Sequence, residues 1–259
     1  MTQPTPPTYR LCVSLAQPGL EELLSAAAQA APLADVLEIR LDALAAESAT
    51  MAVKRLTTEL AGPLLFTNRP RWEGGAGDVP EERRLEPLLA ALEAGAAYVD
   101  IELRAGARAH RQLLAAADRC RTAASDAADP GRETTAIPAR SGQLIVSWHD
   151  FDTTPESTEL AEIVRRQQDS GAAIGKLVTM AHTPGQVRRV LNLLEVAEDL
   201  NFPLIAFSMG TAGLISRLAT CHLGGYMTYA AAGDGQATAP GQLPAVRLRQ
   251  IEQLLTASK

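Results

Sequence analysis

Short apolar runs rich in branched and aromatic residues alternate with longer alanine- and leucine-rich stretches along the whole chain. The short runs lie near Tyr9–Leu15, Val36–Leu41, Leu64–Thr67, Ala97–Leu103, Leu144–Ser147, Ile174–Met180, Leu204–Phe207 and Gly225–Ala230. Runs of this length and composition read as buried strands. Between them, Pro18–Ala30, Ala52–Leu60, Glu81–Ala94, Ala107–Arg119, Ser157–Asp169, Thr183–Asp199, Gly213–Cys221 and Val246–Leu255 carry the helical spacing of apolar positions. Strands that each lead into a helix predict parallel β/α units, and eight of them predict an α/β chain folded as a single-domain (β/α)8 TIM barrel. A doubly wound sheet is the second choice.

One interval breaks the rhythm. Cys120–Gln143 has little apolar periodicity and contains Asp129-Pro130-Gly131, so it predicts an exposed insertion. It falls on the helix-to-strand side of its unit, the end of a barrel concerned with stability, and is given no catalytic role. Residues 1–8 form a polar, proline-rich tail with no apolar segment of the kind that marks a signal peptide or membrane anchor.

Polarity within the strands carries more information. Glu38, Arg40 and Asp42 alternate with Leu37, Ile39 and Leu41, so a period of 2 sends the ionisable groups to one face. Tyr98, Asp100 and Glu102 repeat this against Val99, Ile101 and Leu103. Inward positions of a barrel are usually filled by branched aliphatics, so charges near strand C-termini predict a polar site or a buried ion network there. Lys176 stands in the middle of Ile174–Met180, in a chain whose other lysines are only Lys54 and Lys259. Unlike arginine, a lysine there can lose its proton, and it reads either as a reactive amine or as a buried ion-pair partner.

Other candidates fall at the same strand ends. Phe66-Thr67-Asn68-Arg69 is followed by Glu73-Gly74-Gly75, whose glycines allow a tight turn that returns Glu73 over a pocket. His149 follows the fifth strand, where a base could meet the lysine of the next one. After the seventh strand, Ser208-Met209-Gly210 leads to Ser216-Arg217, and Arg217 could clamp a carboxylate through its planar fork. This glycine-rich stretch matches neither a P-loop nor a dinucleotide fingerprint. Tyr229 to Gln242, with Thr238-Ala239-Pro240-Gly241, has the small residues of a lid.

Composition narrows the partners. A net charge of -6 in 259 residues argues against nucleic acid or an anionic membrane, and no run is long enough to span a bilayer. Three scattered cysteines give neither a disulfide framework nor metal-ligand spacing, which predicts a cytoplasmic protein without a metal.

Glu38-Ile39-Arg40-Leu41-Asp42, Phe66–Arg69 with Glu73-Gly74-Gly75, Asp100-Ile101-Glu102, Ser147-Trp148-His149-Asp150-Phe151, Lys176, Ser208-Met209 with Ser216-Arg217, and Ala239-Pro240-Gly241-Gln242 together resemble the type I 3-dehydroquinate dehydratases over nearly the whole chain. The resemblance implies a lyase that dehydrates 3-dehydroquinate to 3-dehydroshikimate through a Schiff base in the shikimate pathway. It implies Lys176 as the imine-forming amine, His149 as general acid and base, and Glu73 as the acid that orients the histidine. Glu38 and Arg69, with Arg40 beside them, would hold ring hydroxyls. Arg217 and Gln242 would bind the carboxylate, and Met209 and Tyr229 would pack against the ring. Thr238 stands where the family usually has serine, and the stretch leading to it is slightly longer than usual. No cofactor and a homodimer are the remaining implications; with the chain ending at Lys259, no second catalytic domain and hence no fused shikimate-forming reductase is expected. Another lysine Schiff-base barrel, such as a class I aldolase, is the alternative enzyme, and a catalytically silent barrel is the alternative of a different class.

Overall fold

The computed structural model describes residues 10–126 and 142–256. The strands are β1 (Leu11–Leu15), β2 (Val36–Arg40), β3 (Leu64–Thr67), β4 (Tyr98–Glu102), β5 (Gln143–Asp150), β6 (Ile174–Met180), β7 (Leu204–Met209) and β8 (Thr228–Ala231). All pair in parallel in the order β7-β6-β5-β4-β3-β2-β1-β8, a single-domain (β/α)8 barrel that is nearly closed. At the seam between β7 and β8 the Tyr226 N–H donates to the Leu204 carbonyl at 2.8 Å.

The helices are α1 (Leu20–Ala30), α2 (Ala46–Glu59), α3 (Glu81–Glu93), α4 (Ala107–Asp126), α5 (Ser157–Asp169), α6 (Pro184–Leu191), α7 (Leu193–Asp199), α8 (Gly210–His222) and α9 (Ala245–Thr256). Leu37, Ile39, Val99, Ile101 and Val146 point outward from the sheet and pack with helix residues such as Val53, Leu56, Leu88 and Leu113. The interior is different at its two ends. Cys12, Leu65, Tyr98, Ile145, Ile174 and Ile205 fill the lower part with apolar bulk. Two residues further along these strands stand Ser14, Thr67, Asp100, Ser147, Lys176 and Phe207. The period of 2 therefore delivers an apolar floor and a polar upper layer from the same strands.

Several boundaries differ from the sequence expectation, each for a local reason. β5 continues through His149 and Asp150 because these residues pair with Val178 and Thr179 of β6, so His149 lies in the strand and not just past it. β7 likewise extends to Met209, opposite Met180. The helix expected over Thr183–Asp199 is two helices that meet at Asn192, the first begun by a Thr183–Gln186 capping box. α4 runs to Asp126, past the expected end at Arg119, so the start of the expected insertion is helical. Residues 127–141 and the tail 1–8 lie outside the described residues. Asp42 does not continue the alternation of β2, because the chain turns into a 3-10 turn at Leu41–Ala43. Its carboxylate instead accepts from the Arg69 and Ala76 N–H groups, anchoring the loop after β3.

Candidate active site

A cavity opens at the C-terminal end of the barrel. Glu38, Arg40, Arg69, Glu73, His149, Lys176, Met209, Arg217, Tyr229, Thr238 and Gln242, the residues expected from sequence, all line it. Thr67, Gly74, Phe151, Val178, Phe207 and Ala239 complete the wall.

Lys176 is only 4% exposed at the centre of β6, between Ser147 of β5 and Ile205 of β7. Its Nζ lies 3.2 Å from Asp100 Oδ2, 3.6 Å from Glu38 Oε1 and 4.1 Å from the centre of the Tyr229 ring. The guanidiniums of Arg40 and Arg69 are both engaged by carboxylates. Arg40 forms a two-point pair with Asp42 at 2.8 and 2.6 Å. Arg69 reaches Asp100 at 2.9 Å, and both Glu102 and Ser147 Oγ at 2.7 Å.

These contacts form a connected, buried network. Arg84, brought in from α3, lies 2.8 Å from Glu102, which pairs with Arg69, which pairs with Asp100, which holds Lys176. Glu38 is fixed by Thr67 at 2.9 Å and by a short contact from Ser14. Burial alone would raise the Asp100 carboxyl, but Arg69 and Lys176 hold it below its ordinary value, so it stays an anion. Burial likewise opposes the Arg69 cation, yet Asp100, Glu102 and Glu73 keep it above its usual range. Acid and base are matched here, as buried charges must be.

His149 and Glu73 form a second unit. His149 Nδ1 is 2.9 Å from Glu73 Oε1, and the Glu73 side chain is fully buried in the 3-10 turn Arg71–Glu73. Burial first, then the positive charges of Arg69, Lys176, Arg40 and Arg104, push the imidazole well below its ordinary pKa, so the ring is neutral. A neutral ring that donates Nδ1–H to a carboxylate presents an unprotonated Nε2, which is the tautomer a general base needs. Phe151 stacks on His149 with ring centres 6.0 Å apart. Gly74 makes this possible, because a Cβ there would lie 2.3 Å from the Phe151 ring.

Arg217 is the contrast. It is 1% exposed, two turns into α8, and its guanidinium lies 4.5 Å over the Phe207 ring. One nitrogen donates to the Pro240 carbonyl at 3.0 Å, while Nε and Nη1 are buried without a hydrogen-bond partner. Among the described residues that line the cavity, it is the cation with no acidic partner. Burial lowers its pKa to about 10. Such a buried, unpaired guanidinium would be satisfied by an entering carboxylate. The segment that covers this wall is tied back on itself. Gln242 Oε1 accepts from the Thr238 N–H at 2.7 Å and its hydroxyl at 3.2 Å.

The other histidines stand apart from this chemistry. His182 is exposed and contacts the Asp152 carbonyl, and His110 contacts the Glu102 carbonyl. The groups that sequence reasoning missed as site residues are Asp100, Ser147, Arg84 and Arg104. The inward alternation of β4 pointed to Asp100, but the arginines belong to helix and loop segments with no such periodicity. Among the described residues no cluster of three or more histidine, cysteine, aspartate or glutamate side chains has the arrangement to hold a metal.

Residues 11–259 match the model of the family described as type I 3-dehydroquinase. The chain belongs to this family. Among its relatives, the 3-dehydroquinate dehydratase of Desulfotalea psychrophila is 41% identical over 242 residues, covering 93% of this chain and 96% of that protein. The 3-dehydroquinate dehydratase of Methanosarcina barkeri is 35% identical, covering 91% and 92%. A solved structure of 3-dehydroquinate dehydratase from Geobacillus kaustophilus is 28% identical with a TM-score of 0.79, covering 96% of this chain and 91% of that one. Membership accounts for the order of the motifs. No helix among the described residues is long and apolar enough to cross a membrane.

Proposed function

We propose that this chain dehydrates 3-dehydroquinate to 3-dehydroshikimate through an imine on Lys176. The observation that carries the reading is that three groups open onto one cavity: the Lys176 amine, the His149–Glu73 pair and the unpartnered Arg217. Each answers one demand of the reaction. Arg217 and Gln242 take the substrate carboxylate and so fix the ring; Glu38 and Arg69 face its hydroxyls, and Tyr229 and Met209 lie against its faces. Lys176 first gives a proton to His149; the neutral amine adds to the ring ketone, and the carbinolamine hydroxyl takes that proton back from His149 and leaves as water, giving an iminium. The cationic nitrogen draws electrons and acidifies the adjacent C–H. His149 Nε2 removes that proton, giving the enamine. The enamine expels the neighbouring hydroxyl as His149 returns the proton to the leaving oxygen, and water then hydrolyses the imine to free product and lysine.

The product is a conjugated enone, so its ultraviolet absorbance follows the reaction directly. The wild-type chain is expected to turn over 3-dehydroquinate. Lys176→Ala should lower kcat by on the order of 10⁴-fold or more, and His149→Ala by roughly 10²–10⁴-fold. Turnover by Lys176→Ala at the wild-type rate would refute the imine. The family resemblance and the three unpaired cysteines support a homodimer working in the cytoplasm. Sedimentation should give twice the chain mass, and a monomer at working concentration would contradict that state.

A further inference from the structure

The chain has two tryptophans, Trp72 and Trp148, and both flank one side chain. The Arg104 guanidinium carbon lies 5.5 Å from the Trp72 ring centre and 5.9 Å from that of Trp148. There Arg104 Nε donates to Glu73 Oε2 at 3.0 Å, and Nη2 lies 2.9 Å from the same oxygen. Nη2 also donates to the backbone carbonyl of His149 at 3.1 Å. One guanidinium thus contacts both members of the pair without lining the cavity, and its own side chain remains 45% exposed.

We propose that Arg104 is a positioning residue that keeps Glu73 ionised and aimed at His149, and thereby sets the acid limit of the reaction. The inference rests on the functional reading above and deepens it. Arg104 acts through Glu73 and does not line the cavity. Every other charged group facing the pair belongs to a different element and is already engaged. Arg69, after β3, is 3.5 Å from Glu73 but is shared with Asp100 and Glu102 of β4. Lys176 of β6 is held by Asp100 and Glu38, and Arg40 of β2 by Asp42. Glu102 adds a like charge that opposes ionisation of Glu73. Arg104 is therefore, among the described residues, the cation whose acidic partner is Glu73 alone, and the Trp72 and Trp148 rings both lie against it. Burial raises the Glu73 carboxyl and Arg69 and Arg104 oppose this; Arg104 also disfavours a proton on His149. Removing Arg104 hence favours proton uptake by both members.

The test compares wild type, Arg104→Gln and Arg104→Lys by two readouts. In kcat/KM against pH, Arg104→Gln should move the acid limb upward by about one unit, with the loss recovered as pH is raised. Arg104→Lys, which keeps the charge but not the fork, should restore part of the shift. A structural role would lower activity by the same factor at every pH and leave the limb in place, which would overturn the assignment. The second readout needs no turnover: carbon-13 NMR of labelled glutamate carboxyls, with Glu73 assigned by its loss in Glu73→Gln. The Glu73 titration should move up in Arg104→Gln; a titration that stays or moves down refutes the role. Failure of the dehydratase reading shows separately, as absent turnover in the wild type.

Discussion

At the residue scale, the site separates charges that are balanced from one that is not. Lys176, Asp100, Arg69, Glu102 and Arg84 are paired in series, with Glu38 and Glu81 at its ends, whereas Arg217 has no acidic partner among the described residues. The His149–Glu73 pair has its own pH signature. Burial pushes the Glu73 carboxyl up to about 7, against the opposing pull of Arg69 and Arg104. Below that pH the pair takes up a proton, the acceptor for Nδ1–H is lost and the base is disabled; above it the carboxylate is ionised and the ring neutral. kcat/KM should therefore fall as pH drops through about 7 and level off above it, and Glu73→Gln should abolish that limb. Activity that stays flat down to the ordinary carboxylate range would contradict this assignment. Much of the pair was legible from sequence, because Glu73 and His149 stand at strand ends. Arg104 and Ser147 were not, since Ser147 meets Asp100 through the register of β4 and β5, and Arg104 meets Glu73 between two segments outside the strands.

At the scale of elements, parallel strands buried on both faces announce themselves as apolar runs, and all eight were found. Their ends were less legible. Trp148-His149-Asp150 looks like a loop until β6 supplies partners for it, and pairing, not propensity, extends β5. The loop after β3 shows how tightly an element can be specified. The Gly75 N–H donates to the Pro70 carbonyl at 3.0 Å, and a Cβ on Gly75 would lie 2.0 Å from the Arg69 carbonyl oxygen and 2.4 Å from its carbon. Backbone cannot yield as a flexible side chain can, so Gly75→Ala must move the turn that carries Glu73. The expected cost is roughly 1–3 kcal/mol, a fall in Tm of several degrees, and a loss of about 10²-fold in kcat from the displaced acid. Gly106→Ala, with open space around it, should leave both nearly untouched. Equal behaviour of the two variants in thermal melts and assays would show that the loop tolerates the shift.

At the scale of the whole molecule, one barrel interior serves two purposes. Its lower layers of Leu65, Tyr98, Ile145 and Ile205 hold the strands together as a core. The layer above gives up aliphatic packing for a charged network built around a single lysine. The chain carries a net charge of -6, yet its cavity carries an unmatched cation, so attraction for an anionic substrate is local and not a property of the surface. The central claim is that the lysine forms a covalent imine, and that is directly measurable. Borohydride reduction in the presence of 3-dehydroquinate, followed by digestion and mass spectrometry, should leave a stable secondary-amine adduct on the peptide containing Lys176. Turnover of 3-dehydroquinate with no adduct, or an adduct on Lys54 or Lys259 in place of Lys176, would contradict the account.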